Sequence, residues 1–380
     1  MKTFRRDPRS SLLIIVLMIV GGTLLPWAAP WTAPWTAAPA LAAPRQVPGP
    51  DANPFPAGEP LGVDAGILID ASNGKVLWSE NDTEPRAPAS LTKLATAMVV
   101  LQRANLNATA TVTPEAAAVG GSELEAPAGT VMTIEDMLWG LLMVSGNDMA
   151  VALAQAVSPD GTQAGFVQLM NADAAAAGAT GSNFVNPHGL DAPGHASTAR
   201  DLALLTMVDM KNPLFAKMVG TVDHTLDWDG TPHELVNHNK LLTMYPGTIG
   251  IKTGYTDDAG WALDSEVTRG GTTLMAVVLG TKSPAGYDDS EALYNWGFAN
   301  LATLEAQSTD RIVPKPLPAY TAPAPAAVAA SDDRRLADAS WGARHPFPLN
   351  AALLVLLAAS LAAAGSLTTA RRVRRARASR

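Results

Sequence analysis

The chain has 380 residues, no cysteine and a formal charge of −8 at neutral pH. The lack of cysteine excludes thiol nucleophiles, disulfides and Cys-ligated metal centres. Setting aside the six C-terminal arginines and the net +3 of the N-terminal region leaves about −17 on the remainder, a surface that repels nucleic acid and other polyanions.

Residues 1–42 read as a secretory signal. Lys2, Arg5, Arg6 and Arg9 precede an apolar run from Leu12 to Leu25, and Ala40-Leu41-Ala42 supplies a cleavage triplet. A Pro-Trp-centred repeat interrupts it between Pro26 and Ala37. Residues 43–60, rich in Pro, Gly and Ala, form a linker.

One globular domain is expected over 61–305. Its first strands are 66–70 and 75–78, with Asn73-Gly74 as the turn. Pro88 and Ala89 lead into a helix over about 90–102. Thr133-Ile134-Glu135-Asp136 is a capping signal for a helix through Leu142, and helices follow over 148–157, 164–177 and 201–208. Strands return at 261–267 and 273–279 around Gly270-Gly271, before a helix over 289–301. Strands at both ends with helices between them predict an α/β (α+β) domain whose sheet is completed by distant segments.

Residues 306–348 are a Pro/Ala-rich stalk. The 21 uncharged residues 349–369 would span, as a helix, the roughly 30 Å of a hydrocarbon core. Residues 370–380 carry six arginines and no acid, so this tail is expected in the cytoplasm and the domain outside, anchored in the cell membrane.

Three short segments carry the chemistry. In Ser90-Leu91-Thr92-Lys93, a spacing of three on a helix puts the hydroxyl and the amine on one face, a turn apart. A serine needs such a base to act as a nucleophile, and a lysine can be one only if burial or a nearby cation, for which Lys252 is the candidate, lowers its pKa. Ser145-Gly146-Asn147 interrupts two helical stretches. There Ser145 can relay a proton to a leaving amine, and Asn147 can orient Lys93 or bind a substrate amide carbonyl. Lys252-Thr253-Gly254 lies in a Gly-containing edge strand that another backbone approaches closely. A peptide can add to that edge, with Lys252 and Thr253 holding its carboxylate.

Taken together and in this order, the segments resemble those of the serine-type D-Ala-D-Ala carboxypeptidases, the low-molecular-weight penicillin-binding proteins. Flanking blocks extend the resemblance: Ala89–Ala97, Leu142–Asp148, Asn186-Pro-His-Gly-Leu190, Ser197–Ala203, Asn239–Leu242 and Ile251–Thr256. It implies a β-lactamase/DD-peptidase-like fold, a mainly antiparallel sheet flanked by helices plus a helical subregion. It also implies acylation of Ser90 by a peptidoglycan stem peptide, loss of the terminal D-Ala, and covalent inhibition by β-lactams. By the same resemblance the N–H groups of Ser90 and Tyr255 form an oxyanion hole, and Arg200 lies at the carboxylate end of the site. Substrate-binding residues are then Asn147, Lys252, Thr253, Gly254, Tyr255 and Arg200. Many relatives add a β-rich domain after the catalytic one, whereas fewer than 50 residues separate Leu301 from the apolar segment here.

Alternatives within this fold are a DD-endopeptidase, a β-lactamase and a catalytically silent wall-binding homologue. A class A β-lactamase deacylates with a Glu downstream of the second segment, and no Glu occurs between Glu135 and Glu234. No G-x-S-x-G elbow is present. His233 and His238 are five apart, which is not the H-E-x-x-H spacing. His188 and His195 are expected to bind backbone groups in a structured loop. No metal or cofactor is expected.

Overall fold

The computed structural model describes residues 61–320. The expected signal segment, linker, membrane helix and Arg-rich tail lie outside them, as does most of the stalk. Among the described residues no helix is long and apolar enough to cross a membrane.

A five-stranded antiparallel sheet organises the domain. Its strands are β1 (Ala65–Asp70), β2 (Val76–Glu80), β7 (Thr248–Thr256), β8 (Gly260–Arg269) and β9 (Thr272–Thr281), in the order β2-β1-β9-β8-β7. The first strand of the domain therefore pairs with the last, Ala65 opposite Leu279 and Asp70 opposite Leu274. Between β2 and β7 run α1 (Thr92–Arg103), β3 (Thr109–Thr111), β4 (Val131–Thr133), α2 (Ile134–Met143), α3 (Asn147–Val157) and α4 (Gln163–Ala177). They are followed by α5 (Ala199–Asp209), α6 (Pro213–Gly220), β5 (Asp223–Asp227), β6 (Pro232–Val236) and α7 (Leu241–Met244), and α8 (Tyr287–Gln307) ends the series.

Strand alternation divides the core into two layers. Ile67, Ile69, Met275, Val277 and Leu279 face α1–α5, whereas Leu68, Leu263, Leu274, Ala276 and Val278 face α8 through Leu293, Tyr294 and Trp296. Both faces of the sheet are thus covered, and the central strands β1 and β9 are largely apolar on both sides.

Local signals act as expected at several helix ends. Thr133 accepts the Asp136 N–H and so caps α2, and Thr162 and Thr198 cap α4 and α5 in the same way. The sequence reading did not include the short β3, β4 and α7, nor α6, capped by Asn212 with Pro213 at its first position, nor the β5–β6 hairpin. The Asp229-Gly230 turn between short alternating runs is the signal that marks this hairpin.

The domain also extends past the expected boundary at 305. Helix α8 continues to Gln307, and the chain beyond it stays attached. The Val76 N–H donates to Asp310 O, Ile312 N–H to Gly74 O and Lys315 N–H to Ala177 O. Ile312 is buried in the helix-side layer. Proline-rich composition marked this stretch as stalk, but bonds to residues far away in the sequence fix its first part to the domain.

Candidate active site

A cleft of about 740 Å³ is lined by Ser90, Ser145, Thr253, Gly254, Tyr255 and Tyr287, together with residues of β6 and the loop after it. It lies where the start of α1, the α2–α3 break and edge strand β7 meet.

Ser90 was expected in the first turn of an α-helix. It sits instead in a tighter 3-10 turn, Ala89–Leu91, with α1 beginning at Thr92. Two glycines account for this. A Cβ at Gly189, whose φ is +94°, would lie 1.9 Å from Ala89 O, and a Cβ at Gly254 would lie 3.0 Å from Ser90 N. The turn is pressed between two backbones, and Ala89 adopts a φ of +46°, costly for a residue with a side chain.

One helical turn on, Lys93 is fully buried. Its Nζ lies 3.0 Å from Ser90 Oγ, 2.7 Å from Asn147 Oδ1 and 2.7 Å from His188 O. The last two atoms can only accept. A neutral amine therefore directs its two N–H bonds at them and its lone pair at the Ser90 hydroxyl. Burial and the positive charge of Lys252 hold Lys93 well below the ordinary lysine value, with Asp148 opposing them.

Asn147 is committed at both ends of its amide, because Nδ2 donates to Gly120 O at 2.7 Å while Oδ1 accepts from Lys93. It is buried at the start of α3. Of the two roles open in the sequence, these bonds fit orientation of Lys93, and Asn147 is not among the residues that line the cleft.

Ser145 occupies the break between α2 and α3 with φ +62°, a strained conformation of the kind retained where a side chain must be aimed. Its buried Oγ has no hydrogen-bond partner and lies in the cleft lining, free to exchange a proton with a bound molecule.

On β7, Thr253, Gly254 and Tyr255 line the cleft, and the strand is the sheet edge the sequence predicted. The Tyr255 ring leans on Trp261 at 4.5 Å. Lys252 is buried behind this edge, its Nζ donating to Thr253 O at 2.9 Å, and burial lowers its pKa to about 7.

Arg200 is placed elsewhere. Its Nε donates to Asp82 at 2.7 Å and its terminal nitrogens pair with Asp310, so it ties the C-terminal stretch to the loop after β2. The carboxylates of Asp82 and Asp310 engage all three of its nitrogens, and it does not line the cleft.

The sequence reading missed the cleft's second wall. Glu234 and Val236 come from β6, and Asn237, His238 and Lys240 from the loop that follows. Tyr287 Oη donates to His238 O and accepts the Lys240 N–H, fixing that loop to the start of α8. Burial, with Lys252 and Lys93 nearby, pushes His238 down to about 4, so it is neutral. His188 and His195 bind backbone as expected, accepting the N–H of Leu190 and of Val185.

A model of the D-alanyl-D-alanine carboxypeptidase family matches residues 57–283. The chain is 35% identical over 224 residues to D-alanyl-D-alanine carboxypeptidase DacF of Bacillus subtilis, covering 57% of each protein. It is 36% identical over 239 residues to DacB2 of Mycobacterium tuberculosis, covering 61% of this chain and 81% of that one. Among solved structures, a D-alanyl-D-alanine carboxypeptidase of Mycobacterium tuberculosis matches with a TM-score of 0.62 at 33% identity, over 68% of this chain and 99% of that one.

Proposed function

Because this chain belongs to the D-alanyl-D-alanine carboxypeptidase family of serine hydrolases, we propose that it removes the terminal D-Ala from peptidoglycan stem pentapeptides through an acyl-enzyme on Ser90. The observation that carries this reading is the buried Lys93 amine, 3.0 Å from Ser90 Oγ and held there by two carbonyl acceptors.

That geometry and the family membership support the following steps. Lys93 takes the Ser90 proton as the oxygen attacks the penultimate D-Ala carbonyl. The developing oxyanion is held by the N–H of Ser90 and of Tyr255. Ser145 passes a proton to the departing amine, the terminal D-Ala leaves, and water then frees Ser90. Thr253, with Lys252 behind it, receives the substrate carboxylate at the β7 edge.

β-Lactams acylate the same oxygen. A class A β-lactamase hydrolyses that adduct with a Glu downstream of the second segment, and no Glu occurs between Glu135 and Glu234. This favours a penicillin target over a β-lactamase. A catalytically silent homologue would have no need of the strained Ala89 and Ser145 backbones.

Fluorescent penicillin labelling tests the reading. Wild type takes the label and Ser90→Ala does not; a folded wild type that stays unlabelled refutes it. Free D-Ala from a pentapeptide, with little cleavage of cross-linked muropeptides, separates a carboxypeptidase from an endopeptidase.

The reading includes a place of work: the outer face of the cell membrane, with a C-terminal anchor. The uncharged stretch 349–369 and the six arginines after it support this. Membrane fractionation and protease accessibility from outside intact cells check it; a domain protected in intact cells contradicts it.

A further inference from the structure

Strand β8 carries a carboxyl that the acyl-transfer steps leave unused. Glu266 lies on the helix-side face of the sheet, opposite Met275 of β9 and Gly250 of β7. It is only 4% exposed, yet it has no hydrogen bond or ion pair with any described residue. Burying an unpaired carboxylate costs several kcal/mol. Burial with nothing to offset it lifts Glu266 to about 7.

The side chain is not sealed in. Asp264 Oδ1 and Asp209 Oδ2 are shut into the core without a partner, whereas neither oxygen of Glu266 is. Glu266 lines a cavity of about 460 Å³ that shares no residue with the catalytic cleft. The end of α5 gives this cavity Met207 and Met210, the start of β7 gives Ile249, and the chain after α8 gives Val313 and Pro314.

The other polar side chains of the lining are already engaged. Ser72 Oγ donates to Asp70, and Asn73 bonds Asp70, Glu305 and the Lys75 N–H. Thr273 Oγ1 pairs with Thr268 Oγ1. Lys211 also borders the cavity, exposed and without an ion pair among the described residues. What is left is an apolar sleeve with one open carboxyl. Its size suits a small molecule, held by apolar walls and oriented by few polar groups. The C-terminal end of α5, which has no basic residue in its last turn, adds the negative end of a helix dipole. The carboxyl and the dipole favour a cation, and the sleeve favours an apolar body attached to it.

We propose that this cavity binds an ammonium group carried on a short aliphatic chain, with Glu266 as its counterion and Met207, Met210 and Ile249 packed around the chain. Binding is non-covalent, and it matches a charge that the fold otherwise leaves unmatched. A free alkylamine and the side-chain amine of a diamino acid in a wall peptide share this chemistry. The site is independent of Ser90 and stands whether or not the chain cleaves D-Ala.

The test titrates pentylamine into the full-length protein carrying isotope-labelled methionine methyls, read by NMR at about pH 8, where Glu266 is mostly ionised. The Met207 and Met210 methyls shift with a Kd of about 1 mM, or roughly 4 kcal/mol of binding. Ser90→Ala responds as wild type does. Glu266→Gln, confirmed folded by thermal melting, binds at least about tenfold more weakly, close to the loss of one charge-assisted hydrogen bond. Pentanol, of equal length and uncharged, binds wild type no more tightly than Glu266→Gln binds the amine. If Glu266→Gln does not fold, Met210→Trp takes its place; it fills the sleeve and removes the Met207 shift. A stem tetrapeptide that moves the same methyls with its diamino acid amine free, but not when that amine is acetylated, identifies a wall peptide as the source. Pentylamine acting where neither peptide does identifies a free amine. Methyls unmoved by about 50 mM pentylamine, more than tenfold above the expected Kd, overturn the inference. Equal affinity in wild type and Glu266→Gln, or a Met207 shift that survives Met210→Trp, overturns it too; the cavity then holds only water.

Discussion

Substituting Asn147 by Asp changes one amide nitrogen to oxygen and places a carboxylate 2.7 Å from Lys93 Nζ. At an effective dielectric of about 20, unit charges about 3 Å apart attract by roughly 5 kcal/mol. Desolvation of the new carboxylate cancels part of that gain. A rise of about 2 units in the Lys93 pKa is a conservative result, and it lowers the free amine by up to about 100-fold, the full factor applying at pH below the wild-type value. Penicillin acylation of Asn147→Asp is therefore expected to fall by up to about 100-fold on the acid side, with its acid limb displaced about 2 units towards alkali and activity returning there. Asn147→Ala, which only removes the acceptor, loses rate without that displacement. Second-order labelling rates between pH 6 and 10 measure both. An Asn147→Asp variant labelling within about threefold of wild type, with its acid limb unmoved, would refute the assignment of Asn147 to the base.

Gly254→Ala brings a methyl to 3.0 Å from Ser90 N; acylation should fall about tenfold to a hundredfold while the melting temperature changes little. Gly189→Ala meets Ala89 O at 1.9 Å from a φ of +94°, and should cost about 3 kcal/mol or more in urea unfolding. Arg200→Leu should leave the KM for a pentapeptide within twofold, yet lose about 1–2 kcal/mol of stability through its bonds to Asp82 and Asp310; a large rise in KM would return Arg200 to the site. His188 and His195 are held by burial at about 3 and about 4, against 6.5 when unfolded. The unfolded chain then binds protons first, so the stability they contribute is complete above pH 6.5 and is lost as pH falls towards 4. Each loses up to about 1.4 kcal/mol per pH unit in that window. Urea unfolding at pH 7, 6 and 5 reads this, and a His195→Gln variant with an undiminished slope contradicts it.

The sequence by itself marked the candidate nucleophile, its candidate base and the edge strand, because these depend on short-range rules. Ser90 and Lys93 fall a turn apart, the segment around Ser145 breaks two helical runs, and Lys252-Thr253-Gly254 has the glycine content of a closely approached edge. Strands at both ends of the domain were legible for the same reason, since strands and their turns carry local periodicity, whereas the antiparallel character of their sheet was implied by the resemblance. Only the tertiary structure decided which role each polar group takes. Asn147 turns to the base because Gly120 O holds the other end of its amide, and Arg200 leaves the site because Asp82 and Asp310 lie beside it. His238 and Lys240 enter the cleft because Tyr287, about 50 residues further along the chain, holds their loop. Asp264 comes to lie opposite Lys252 only through strand register. Local propensity is set within a few residues, whereas the partner of a buried charge is set by segments that meet only when the chain has folded.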